Sequence, residues 1–485
     1  MRTLLLDLLV PVLLTAQAVP SPAPQHGQRP ARMVVRNAIV IEGNGTPASG
    51  PRDIFIEGDT ITQIAPSRAA TANQPAGTAV IDAQGRYVMP GLINMHAHFQ
   101  DERAGIRMPA EYQLKLWLAA GITTCRDLGS DFAKSSVLRE QSKLGQVIAP
   151  RFFLHRTFSM PPAPRTPDEA RERIRQFKRD GADGVKFFDL YRDIMEAALD
   201  ELHKQGLRGA HHAAVAETNA LDDSKFGMTT IEHWYGIPDA ALENGVQSFP
   251  ADFNIAREID RFRYSGRLWR EANPDKLKMV LESMVKANVA WDPTLNIYEA
   301  ARDLQRYQNQ PWFPEYLHPA LERFFAPNPE YHGSFFEHWT TTDEAFWREN
   351  YRLWMAAVRQ FGHLGGTITT GEDTGFIYNV YGFGLIRGLE LHREAGFAPL
   401  QVIQHATANG GKTLGQGHRL GRIRTGYAAD LLILNGNPLE DFKFLYPPVG
   451  NQKPGIEWTI KDGIPYSVPK LVADVKAIVR DAKKQ

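Results

Sequence analysis

At 485 residues the chain exceeds one ordinary domain, which points to about two or three domains, or to one large barrel with a smaller partner. Hydrophobic residues make up 43% and charged residues 23%, close to the globular average, and this argues against both disorder and a membrane bundle. Lysine plus arginine and aspartate plus glutamate number 55 each, and no long basic run is present, so the balance speaks against nucleic-acid binding and for a small-molecule or peptide-like substrate.

Arg2 precedes the apolar stretch Leu4 to Leu14, which Asp7 interrupts, and Ala16-Gln17-Ala18 has the small-x-small form of a cleavage site. Residues 1–18 are therefore expected to be a signal peptide and the mature protein periplasmic or secreted. The stretch is too short for a stable membrane span. Residues 19–31 are proline-rich and expected to form a flexible lead-in. The single cysteine, Cys125, rules out an intrachain disulfide; within GITTCRDLG it reads as a small hydrophobe on a buried strand.

Residues 33–65 alternate short β-rich runs with Gly/Asn/Pro turns, and similar runs return at Leu431–Leu434 and Trp458–Pro465. Because chain ends often lie close together, residues 32–87 and 418–468 are expected to build one small β-sandwich domain. Residues 88–417 change to short apolar strands alternating with helical periodicity, the pattern of an α/β, TIM-like (β/α)8 barrel of seven or eight units. Thr166-Pro167-Asp168-Glu169 is a capping box with proline at the first helical position, and Ala170, Ile174 and Phe177 supply the buried stripe of the helix it opens. An insertion at about 252–346 is rich in aromatics such as Trp269, Tyr298 and Trp312, and reads either as pocket wall or as packing for extra helices. Residues 469–485 are expected to be a C-terminal helix or tail.

The chemistry is carried by polar groups that end apolar strands. In PGLINMHAHF, His96 and His98 stand at i and i+2 and so project from one face of a strand, where both reach one metal. Lys186, between Val185 and Phe187, points toward the barrel axis, where an isolated ammonium is costly. Carbamylated by carbon dioxide, it would offer two oxygens that bridge two divalent ions. His211 or His212 closes RGAHH and His233 closes TTIEH. Asp373, in GGTITTGED, is placed to bind a metal and to act as general acid and base, with Glu372 as its adjacent competitor. His155, ending RFFLH, and Tyr191, after the Lys186 strand, are candidates for contact with substrate.

The ordered set His96-x-His98, Lys186, a fifth-strand histidine, His233 and Asp373 resembles the amidohydrolase superfamily, and within it the imidazolonepropionase-like and Xaa-Pro dipeptidase-like branch. VIDAQGRYVMPGLINMHAHF, GADGVKFF and HATANGGKTLGQGHRLGRIRTGYAADLLILNGNPLED carry the same resemblance, over roughly residues 33–465. It implies that His96, His98 and Asp373 hold one metal and His211 and His233 another, most naturally two zinc ions, with carbamylated Lys186 and a hydroxide between them. The expected reaction is hydrolysis of an amide or dipeptide-like C–N bond, with Asp373 passing a proton to the leaving amine. A single-metal deaminase or cyclic-amide or lactone hydrolase is the alternative, and Lys186 counts against it; an inactive ligand-binding protein is the reading from another class. Homo-oligomers fit the family. The chain departs from the family pattern in the His211-His212 doublet, where His211 is favoured because it puts Gly209 on the inner face and Ala210 on the outer. It departs again in Gly371-Glu372-Asp373, where the family has Gly-Thr-Asp.

Overall fold

The computed structural model describes residues 23–485 apart from 68–74, 76, 215, 246, 255–256, 329–332, 335 and 337–338. The expected signal peptide lies outside the described residues. Among those described, no helix is long and apolar enough to cross a membrane.

Seven parallel strands follow one another around a barrel: β1 (Leu92–Ala97), β2 (Ile122–Leu128), β3 (Arg151–Thr157), β4 (Gly184–Phe187), β5 (Arg208–His211), β6 (Thr230–Glu232) and β7 (Ala290–Asp292). The eighth position is held by an irregular segment. Trp291 N donates to Thr367 O at 2.9 Å on one side, and Met95 N to Thr370 O at 3.1 Å and Asp373 N to His96 O at 2.8 Å on the other, so the segment closes the wall between β7 and β1. Gly371 lets it run flush against β1: a Cβ there would sit 2.4 Å from the Cβ of His96.

The helix expected after Thr166 spans Pro167–Arg179. Thr166 Oγ1 accepts from Glu169 N at 3.3 Å, a cap worth about 1 kcal/mol. Its Ala170, Ile174 and Phe177 are buried against the neighbouring helix Arg192–Lys204 and the outer face of β4, because i, i+4, i+7 spacing brings them onto one side.

Both ends of the chain contribute to one eight-stranded sheet. Arg32–Val40 pairs antiparallel with Ser49–Glu57 and parallel with Ala79–Asp82 and then Tyr87–Pro90; Leu431–Leu434 joins Tyr87–Pro90, and Ile456–Lys461 and Ile464–Ser467 follow. Alternate residues such as Val35, Ile54, Ile81, Leu431 and Ile433 fill its own small core. Part of the proline-rich lead-in is tied down on this sheet: Gly27 N donates to Pro465 O at 2.9 Å, Arg29 Nε to Asp462 O at 2.8 Å, and Ser467 N to His26 Nδ1 at 2.9 Å. The C-terminal helix, Val468–Ala482, packs on the barrel helix Ala110–Ala119, with Lys115 Nζ 2.7 Å from Asp474.

Candidate active site

His96, His98, Lys186, His212, His233 and Asp373 meet at the C-terminal mouth of the barrel, where the eight strand positions open into loops. Asp373 is the hub. Its Oδ1 lies 3.2 Å from His98 Nε2 and 3.7 Å from His96 Nε2, and its Oδ2 lies 3.6 Å from His233 Nε2. Donor atoms of His96, His233 and Asp373 all fall within 4.8 Å of one another. The His212 ring is centred 4.5 Å from that of His233 and stacks on Tyr235 at 5.2 Å. Among the described residues neither the buried Lys186 Nζ nor His233 Nε2 has a hydrogen-bond partner. A cavity of about 360 Å³ opens over these groups, walled by Phe188, Tyr235, Phe262, Ile297, Tyr298 and Phe376.

The backbone pays for this convergence in conformational strain. His233 has φ 60° and Asp373 φ 46°, both in the left-handed region that side-chain-bearing residues seldom adopt, and Thr294, which hydrogen-bonds His233 Nδ1, has φ 43°. Glu232 and His233 both turn to the axis, whereas Glu372 turns away from Asp373, accepting from Trp117 Nε1, Gly382 N and Leu385 N in the wall behind.

Burial favours uncharged imidazoles: it drives His96, His212 and His233 well below the usual histidine range, and the Lys186 charge adds to the effect. Burial likewise lowers Lys186 to about 8, although Glu232 and Asp373 resist the shift. For Asp373 burial acts upward, but His96, His98 and Lys186 outweigh it and hold the carboxyl well below the usual carboxylate range. Behind the ligand-type groups lies a buried polar layer. His96 Nδ1 lies 2.8 Å from Glu232 Oε2, and Glu232 Oε1 accepts from Arg126 Nη2 at 2.7 Å and Thr230 Oγ1 at 2.5 Å. A neutral His96 thus carries its proton on Nδ1 and directs the Nε2 lone pair into the site.

The favoured fifth-strand residue is corrected. His211 faces outward, its Nδ1 2.8 Å from Asp223 Oδ1 on the helix Ala220–Phe226, and it does not line the cavity; His212 does. The phase is fixed by packing, since a Cβ on Gly209 would meet Met228 Sδ at 2.6 Å and Leu199 in the outer helical layer, so that Gly209 and His211 share the outer face. His155 is also placed elsewhere. It is buried in the barrel wall, its ring against Gly184, beside a different cavity with Arg208 and Leu414. Tyr191 stands at the N-cap of the helix Arg192–Lys204 and is 73% exposed, outside the cavity lining. Cys125 is fully buried, and burial pushes its thiol up, as expected of a packed residue.

Sequence reasoning missed Glu232, Arg126, Tyr235 and Arg261, whereas Tyr298, named among the insertion aromatics as pocket wall or packing, lines the cavity. A signal existed for the first two: Glu232 precedes His233 directly, and Arg126-Asp127 interrupts the apolar run of β2. The aromatics and Arg261 sit in loops and insertion helices, where no periodicity marks a facing side.

With this fold and site in view, the chain belongs to the amidohydrolase family, whose model matches residues 87–457. Among curated relatives it is 33% identical over 91 residues to a dihydroorotase of Bacillus licheniformis, covering 19% of this chain and 20% of that one. It is 33% identical over 132 residues to an ochratoxinase of Aspergillus niger, covering 26% and 25%. The chain thus spans about a quarter or less of the length of these relatives. A solved Xaa-Pro dipeptidase with methionine bound in its active site superposes with a TM-score of 0.64 at 19% identity, over 90% of this chain and all of the other, and shares the fold.

Proposed function

We propose that this hydrolase cleaves an amide or peptide-like C–N bond using two divalent metal ions, zinc by preference. The observation that carries the reading is the unpartnered, buried Lys186 Nζ among three uncharged histidines and the Asp373 carboxylate. A lysine with its pKa lowered toward neutrality is readily uncharged, and an uncharged amine adds carbon dioxide to give a carbamate with two oxygen donors. The donor set fits the group: His96, His98 and Asp373 on one side, His212 and His233 on the other, and modified Lys186 between. Divalent ions bound there would acidify water and polarise the scissile carbonyl. Asp373, 3.2 Å from His98 and kept ionised by its neighbours, accepts the proton of the attacking water and returns it to the departing nitrogen. The C–N bond breaks, giving a carboxylate and an amine. Tyr235 and Tyr298 form the wall against which the substrate is held. The neighbour's name, Xaa-Pro dipeptidase, points in the same direction. We place the enzyme outside the cytoplasm on the strength of Arg2, the apolar stretch and Ala16-Gln17-Ala18.

The purified protein is expected to carry close to two divalent ions per chain, and Asp373→Asn to fold and bind metal yet lose turnover by about 10²-fold or more. Near-normal turnover in that variant overturns the mechanism. A one-metal deaminase or cyclic-amide hydrolase is the second reading, favoured by the tight His96, His233 and Asp373 group. Lys186→Ala separates the two, since only a two-metal enzyme loses an ion with it.

A further inference from the structure

One cation in the cavity wall has no task in the chemistry above. Arg261 lies on the insertion helix Glu258–Ser265, one residue before Phe262, and both line the cavity. Its Nε is buried and has no hydrogen-bond partner among the described residues. Among the described residues no ion pair within 4.0 Å takes up the guanidinium, although Asp189 lines the same cavity. Arg261 is therefore not the partner of Asp189, and its charge acts across the space on Asp189, Tyr298 and His212. A guanidinium half-withdrawn from water and walled by Phe262, Tyr298 and Ile297 is costly to leave unpaired.

We propose that Arg261 is a specificity-determining residue that docks a carboxylate of the substrate, so that the amides hydrolysed are those bearing a free acid, such as N-acylated amino acids and dipeptides. The inference rests on the amide reading above. The planar fork of five donors matches a carboxylate in two parallel hydrogen bonds, which a point charge cannot reproduce. Aromatic walls exclude water and strengthen the pair. Asp189 repels the same carboxylate and so confines it to the Arg261 side. Because Arg261 comes from the insertion and not from a barrel strand, it selects the substrate without disturbing the groups that act on the C–N bond.

The test compares a panel of N-acetyl amino acids of differing side chains with their carboxamides, on the metal-loaded full chain. The wild type is expected to favour the acids by about 100-fold in kcat/KM, because a neutral isostere leaves the half-buried guanidinium without its counter-charge. Arg261→Met is expected to lower the acid rates by a similar factor and so remove the preference, and Arg261→Lys to recover only part of it. Calorimetric titration of the Asp373→Asn enzyme with the same acids, with and without Arg261→Met, gives the binding difference independently of turnover. Equal rates on acids and carboxamides in the wild type, or a preference that survives Arg261→Met, overturn the role of Arg261 and leave amide hydrolysis standing. Hydrolysis of neither series overturns the amide reading itself, and this inference with it.

Discussion

The Nδ1 of His96 and the Oε2 of Glu232 lie 2.8 Å apart with both side chains fully buried, which fixes the tautomer of a candidate ligand from the opposite side of the barrel. Arg126 holds the other carboxylate oxygen. Glu232→Gln keeps the shape but presents an amide that either donates to His96 Nδ1, moving the imidazole proton to Nε2, or loses Arg126. Metal affinity measured by chelator competition is expected to fall by about 10- to 100-fold. Glu232→Ala also strands the buried Arg126 charge and is expected to cost about 3–5 kcal/mol of stability. A folded Glu232→Gln protein with unaltered metal affinity would show that His96 needs no such orientation.

The two adjacent histidines make opposite predictions. His212→Ala removes a cavity-lining imidazole and is expected to lower metal content while leaving the thermal midpoint of the metal-free protein nearly unchanged. His211→Ala removes the partner of buried Asp223 and is expected to cost about 1–3 kcal/mol while metal content holds. Metal analysis and melting of the two variants decide the matter, and the reverse pattern would return the ligand role to His211.

This pair also marks how far the sequence could be read. The barrel, the helix after Thr166, and the inward-facing His96, His98 and Lys186 were legible, because bulky strand neighbours reveal their phase; His233 and Asp373 were named from their place in the chain, the latter with Glu372 as its open competitor on a segment that is irregular. In Arg208–His211 the marker residues are Gly209 and Ala210, both too small to declare a side, and the phase depends on Met228 and Leu199, distant in sequence. Glu232 escaped because alternation would send the neighbour of an inward His233 to the outer face, whereas both side chains turn to the axis. Arg261 and the aromatic wall depend on how the insertion folds back over the mouth, which is long-range packing.

Gly371 is a site where one methyl group should be felt. A Cβ there would come 2.7 Å from His96 N and 2.8 Å from Asp292 Oδ1, so either β1 or the closing segment must shift. Gly371→Ala is expected to destabilise by about 1–3 kcal/mol and to lower turnover by displacing Asp373 two residues on. Calorimetric melting with parallel assays checks both effects; native stability together with native turnover would mean that the wall yields without strain.

Away from the cavity, Glu299 anchors the helix Leu295–Arg302 through Arg387 Nη2 at 2.6 Å and Tyr307 at 2.7 Å, with Arg302 beside it. Burial alone would raise this carboxyl, but the hydrogen bond and charge of Arg387, helped by Arg302 and Tyr307, bring it down to about 2 from an ordinary 4.5. The folded chain therefore binds this proton more weakly than the unfolded chain does. The resulting stabilisation, on the order of 3 kcal/mol, is complete above about pH 4.5 and is lost as the pH falls toward 2. Glu299→Gln should be less stable than the wild type at pH 7, and the gap between them should narrow through that acid window. Denaturant melts at pH 7, 4.5 and 3 measure it, and a gap that stayed constant with pH would assign the loss to packing, because only the ionised carboxylate gives a difference that titrates.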